Sequence, residues 1–223
     1  DAECVTSLNL AALKLGSGGA MPLAEFLMRL TALTSLDISR NELLSEGAAS
    51  VTLALTHLTA LTSLNLSGNK LGPGGMTTLC AAVTHLTALT SLDLSSNDML
   101  PDGAEHLAVV VTCLTALTGI NLAGNKLGAV GLRSVMGAVT HLTALTSLDL
   151  CSNELSVEDG ARVCGAAAAA GMTQLQELAL EGNGFSASSV VGCEAWREAG
   201  LAQPCDVVVF PPSFSVLMQY AVS

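Results

Sequence analysis

Apolar and polar residues alternate in short bursts along this chain. In LTSLDI, residues 33 to 38, Leu36 and Ile38 point one way and Ser35 and Asp37 the other. Period-two alternation over so few residues predicts a short strand with one face in a core. A different rhythm follows: Ala48, Val51, Leu55 and Leu58 recur at the spacing of one face of a helix. Strand, turn and helix then begin again. Val5, Leu33, Leu61, Leu89, Leu117 and Leu145 start successive units 28 residues apart, and Leu175 follows after 30. Seven units result, and self-similarity at this period predicts a stack rather than a globule.

Asn41, Asn69, Asn97, Asn125, Asn153 and Asn183 stand at one position in successive units, just after each strand, where the chain must turn. A side-chain amide there has the donors and the acceptor to satisfy orphaned backbone groups of adjacent coils. Leu13 takes that place in the first unit, a departure that suits a terminal coil with one neighbour. Gly19, Gly47, Gly75, Gly103 and Gly131 mark the beginning of each helix, with Gly160 displaced by one residue.

The unit reads LxxLxLxxNxLGxxGxxxLxxxLTHLTA, which resembles the leucine-rich-repeat family and, within it, the ribonuclease-inhibitor or Ran GTPase-activating-protein type. The resemblance covers residues 5 to about 203. It implies an α/β solenoid, a horseshoe of seven repeats of about 28 residues with parallel strands on the concave face and helices on the convex face. It also implies that the recurring asparagines form the family's structural ladder. At about 4.8 Å per strand, six intervals give a sheet on the order of 29 Å long. The expected organisation is a solenoid over residues 1–203 and a C-terminal cap and docking tail over 204–223.

Half the residues are hydrophobic and only 12% are charged, about half the usual charged share. Apolar or neutral surface must therefore face outward. No apolar run approaches the ~18 residues of a transmembrane helix, so direct membrane insertion is not expected. The net charge of −11 argues against nucleic acid and anionic lipid as partners. Seven cysteines, an odd number without close CxxC pairs, read as reduced thiols and favour an intracellular compartment, cytoplasmic or organellar. No signal or transit segment is legible from Asp1 onward.

Candidate chemistry is thin. His57, His85 and His141 share a repeat position with Arg29 and Cys113. Side chains one coil apart cannot all reach a single zinc ion at ~2 Å, and the alternative is capping of helix-end carbonyls. LGPGG at residues 71–75 lacks the GK[ST] of a P-loop. No nucleophile, base and acid converge outside the repeat's own ladders, so neither catalytic site, cofactor nor metal is expected. Arg40 is the basic residue that a Ran-type activator would require in a loop after a strand, and it keeps a GTPase-activating regulator open as an alternative. A ligand-sensing fragment of a nucleotide-binding immune receptor is a second alternative.

The reading adopted is a non-catalytic protein-binding scaffold, an accessory subunit of a hetero-oligomeric complex. Three surfaces are candidates. Asp37, Asp93 and Asp149, with Glu177 and Glu181 beyond, make an acidic concave face, either merely solvated or suited to a Lys/Arg-rich segment. On the helices, Leu53, Cys80, Val109 and Met136 are expected to face outward or to tuck between helices. Five of the six aromatics follow residue 184. Trp196 falls on an expected last helix, Val207 to Phe210 on an expected edge strand, and Phe210, Phe214, Leu217, Met218 and Tyr220 on a cap and docking tail.

Overall fold

The computed structural model describes residues 5–184 apart from 171 and 173, and the backbone of 207–209. For 161, 164, 165, 168 and 169 it describes backbone alone. Strands and helices alternate in the order β1 (Ser7–Asn9), α1 (Gly16–Leu27), β2 (Ser35–Asp37), α2 (Leu44–Leu55), β3 (Ser63–Asn65), α3 (Gly72–Val83), β4 (Ser91–Asp93), α4 (Leu100–Val111), β5 (Gly119–Asn121), α5 (Gly128–Val139), β6 (Ser147–Asp149), α6 (Val157–Ala169), β7 (Glu177–Ala179) and β8 (Val207–Val209). All eight strands form one parallel sheet in sequence order. Leu8, Leu36, Leu64, Leu92, Ile120, Leu148 and Leu178 stand in register across seven of them. β8 continues the sheet beyond β7, with Val208 beside Leu178.

Each coil closes around one layer of core. In the second, Leu33, Leu36, Ile38, Leu43, Ala48, Val51, Leu55 and Leu58 are all buried to 2% exposure or less. At ~1.5–3 kcal/mol per buried aliphatic side chain, one layer is a large apolar gain, but it exists only while neighbours cover its two flat sides. The first coil shows the difference. Val5, Leu8, Leu10 and Leu15 are only partly buried, although their counterparts in the second coil are closed off completely.

The glycine of each unit lies in the first helical turn rather than ahead of it, and its role is close approach. A Cβ on Gly131 would lie 3.2 Å from the Pro101 Cα and the Ala104 Cβ of the preceding helix. Sheet and helices thus keep one period only if this contact stays small. The four helix positions expected to face outward or to tuck between helices divide between the two. Leu53 and Val109 are exposed, but Cys80 and Met136 are buried at 5% and 6%. An inner helix of a stack is flanked on both sides, so only its outermost stripe reaches solvent.

Candidate functional site

Three rows of hydrogen bonds run along the stack and decide which polar side chains are free for anything else. The first lies beneath the turn. Asn69 Oδ1 accepts from the Asn41 N–H at 2.9 Å, while its Nδ2 donates to the carbonyls of Ile38 at 3.0 Å and Leu66 at 2.9 Å. Asn97, Asn125 and Asn153 repeat the arrangement, and Asn183 accepts from the Asn153 N–H at 2.7 Å. Asn41 receives the Leu13 N–H instead of another asparagine's. Asn41 to Asn153 are fully buried and Asn183 partly so.

The second row was not anticipated. Thr34, Thr62, Thr90, Thr118 and Thr146 each donate Oγ1 to the carbonyl of the threonine one coil back, at 2.9–3.0 Å. Gln176 ends this row and keeps only the backbone bond to Thr146. THLTALT contains three threonines per unit, and nothing in the sequence marks the third as the one aimed along the stack.

The third row contains the expected concave residues. Oδ1 of Asp37, Asp93 and Asp149 accepts the N–H two residues on, from Ser39, Ser95 and Cys151, each at 2.9 Å. Asn9, Asn65 and Asn121 accept the same bond in the intervening coils at 3.0 Å. This is the Asx turn, in which a short polar side chain mimics a backbone acceptor. Asp and Asn therefore alternate at one position that needs only a carbonyl-like oxygen. Asp93 Oδ2 lies 3.5 Å from Asn121 Nδ2, and no basic group pairs with Asp37, Asp93 or Asp149 among the described residues. At the far end Glu177 accepts from Ser147 Oγ at 3.1 Å.

The same two-coil alternation governs the loop beside the ladder. Lys14, Glu42, Lys70, Asp98, Lys126 and Glu154 follow the ladder position in turn. Lys70 pairs with Glu42 at 3.1 Å and Lys126 with Asp98 at 2.6 Å. That rail is largely self-neutralised, unlike the aspartate row on the strands. Arg40 is exposed in this loop with φ 55°, and its side chain runs beside Gly68. The backbone sets its position, which Ala12, Gly68, Ser96 and Gly124 fill in neighbouring coils.

His57 Nδ1 lies 3.0 Å from the Leu53 carbonyl and His85 Nδ1 lies 3.3 Å from that of Ala82, both at helix ends. Among the described residues no group of three or more His, Cys, Asp or Glu is placed to hold a metal ion. Cys80, Cys113 and Cys151 are free thiols. Burial pushes Cys80 up to about 12. Burial, followed by a hydrogen bond to Asp149 and its charge, pushes Cys151 to about 12 as well. No helix among the described residues is long and apolar enough to cross a membrane. Phe210, Phe214, Leu217, Met218 and Tyr220, and Trp196 before them, lie outside the described residues.

Residues 30–51, 56–80 and 85–108 match the leucine-rich-repeat family model, and the chain carries leucine-rich repeats. No curated protein matches the sequence. Among solved structures, an internalin of Listeria monocytogenes aligns at 16% identity over 83% of each chain, with a TM-score of 0.21.

Proposed function

We propose that this chain is a non-catalytic interaction module whose concave face receives a basic segment of a partner protein. The observation that carries this reading is the alternation in the Asx row. Asn65 and Asn121 close the same turn as Asp37, Asp93 and Asp149, so folding does not demand the carboxylates. Asp93 Oδ2 also lies 3.5 Å from Asn121 Nδ2 and Asp149 also bonds Cys151, but none of these bonds requires a charge, and the charge is surplus to structure. On alternate strands they recur about 10 Å apart, close to the ~9 Å per turn of a polyproline II segment, whose threefold repeat keeps every third side chain on one side. A segment crossing the strands with Lys or Arg at every third position would meet one carboxylate after another. Charge-assisted bonds of this kind are among the stronger polar contacts an open surface can offer.

Leucine-rich-repeat proteins commonly mediate protein–protein contacts, which agrees with this class of function. The repeats are of the ribonuclease-inhibitor or Ran GTPase-activating-protein type, since each of the first six coils carries a helix of 12 or 13 residues. The protein works inside the cell as an accessory subunit of a hetero-oligomer, with free thiols and without nucleic acid as a partner. Phe210, Phe214, Leu217, Met218 and Tyr220 form a second, apolar docking element.

The test is to express the chain and its Asp37→Asn/Asp93→Asn/Asp149→Asn variant in the source cells and compare their native size. Wild type should migrate in a larger complex with a protein bearing an exposed basic segment, and the variant should lose that protein while keeping its melting temperature. A variant that stays in the same complex would remove the concave face as the interface.

A further inference from the structure

Among the described residues the helix layer has one break, and a cleft opens there. In coils one to five the helix starts at a left-handed residue whose N–H bonds to the ladder asparagine's carbonyl of the next coil, as Gly128 does to Asn153 at 3.0 Å. The sixth coil departs from this. The Ser156 N–H turns instead to Asp159 Oδ2 at 3.0 Å, its hydroxyl donates to the same oxygen at 2.8 Å, and the Asp159 N–H returns to Ser156 Oγ at 3.3 Å. This reciprocal cap starts α6 out of step with the helices before it. α6 then packs much less closely on α5 than earlier helices pack on one another.

The space between them is a cleft of about 310 Å³, floored by Leu132, Met136, Val163 and Ala166. That volume is at the small end of the ~300–1,000 Å³ range of ligand pockets. Two of the chain's eight basic residues, Arg133 and Arg162, line it. Asp159, buried at 5%, lies 3.4 Å from Arg162 and offsets one of the two charges. Arg133 has no ion-pair partner among the described residues. In a protein of net charge −11, the lining of this apolar cleft carries one surplus positive charge.

We propose that the α5–α6 cleft binds a small amphiphilic monoanion, a medium-chain alkyl carboxylate, with the hydrocarbon against Leu132, Met136, Val163 and Ala166 and the head group on Arg133. The apolar floor selects the tail by removing it from water. The single uncompensated guanidinium selects one anionic head, and its planar fork matches a carboxylate. This site lies on the helix layer, away from the aspartate row, and does not depend on what the strands bind.

Decanoate titrated calorimetrically into the full chain, below its micellar concentration, tests the proposal. Saturable binding of one decanoate per chain is expected, and the neutral alcohol decanol should bind at least about tenfold more weakly. Arg133→Gln should weaken decanoate by about tenfold and leave decanol unchanged. Gly137→Phe should abolish binding of both. A Cβ there meets nothing within 4 Å, so the ring can enter the cleft while the fold stands. Ala129→Leu blocks the cleft from its other end should that variant not fold. Absence of saturable heat, equal binding of decanol, or wild-type affinity in the blocked variants would overturn the site.

Discussion

The backbone N–H of Asn41 donates to Oδ1 of Asn69, 28 residues on, at 2.9 Å in a fully buried turn. Each ladder asparagine thereby serves the coil before it. Asn97 accepts from Asn69 and donates to the carbonyls of Leu66, Leu94 and Ser95. Asn97→Ala orphans several buried groups at once, and at ~1–3 kcal/mol for each group left unsatisfied the total loss should be about 3–5 kcal/mol. A urea titration followed by circular dichroism should show a much lower midpoint, with Asn97→Asp also destabilised because it keeps the acceptor and loses the donors.

Backbone handedness at the helix start makes a second prediction with two signs. Leu100 has φ 57° where Gly72 has φ 63°. A side chain in that region costs ~1–2 kcal/mol, of which the greater freedom of unfolded glycine cancels roughly half. Leu100→Gly should raise the unfolding free energy, read from the denaturation midpoint, by about 0.5 kcal/mol. Gly72→Ala, whose Cβ would meet nothing within 4 Å, should lower it by about 1 kcal/mol through the backbone alone.

Two glycines of α5 should also respond in opposite directions. Gly131→Val drives a branched side chain into the Pro101 backbone and Ala104 and should cost about 2–3 kcal/mol, as overpacking does. Gly137→Ala adds helix propensity on an open face and should stabilise by up to ~1 kcal/mol. Thermal melts of the two variants decide it, and equal effects would mean that α4 and α5 are not in contact at Gly131.

Cys80 supplies a pH dependence. Burial disfavours the thiolate and pushes its folded thiol from the ordinary value of 9.0 up to about 12. A raised pKa gives stability that is full below pH 9.0 and is lost as pH rises towards 12, where the unfolded chain has already ionised. Melts between pH 8 and pH 11 should fall more steeply for wild type than for Cys80→Ala. Iodoacetamide at pH 8 should label the exposed Cys113 and spare Cys80 in the native state.

Leucines and asparagines phased over seven units make the strand, turn and helix order readable, because their burial depends on the period itself. The threonine row was hidden, since Thr56, Thr59 and Thr62 occur together and only Thr62 bonds along the stack. Whether Cys80 and Met136 face outward or tuck between helices stayed open because a helix considered alone has one buried face, whereas a helix between two others has three. The Asn and Asp alternation was masked by the shorter period, which treats both as polar residues of one strand face. Phe26 was legible only as an aromatic. In the stack it is 49% exposed at the position where Ala54 and Ala82 are fully buried, with no coil before it among the described residues. The α5–α6 cleft was unreadable because it follows from how Ser156 and Asp159 cap one another.

Whether the aspartate row is a recognition surface is decided by a pair of measurements on one variant, Asp37→Asn/Asp93→Asn/Asp149→Asn. Its thermal melt and its calorimetric titration with a proline-rich polyproline II peptide bearing lysine at every third position should be compared with wild type. An unchanged melt is expected, since asparagine closes the same turn in the intervening coils, together with loss of a peptide affinity that falls with salt in the wild type. A variant that unfolds would make the aspartates structural. A variant that binds the peptide as wild type does would contradict the aspartate row as the recognition surface.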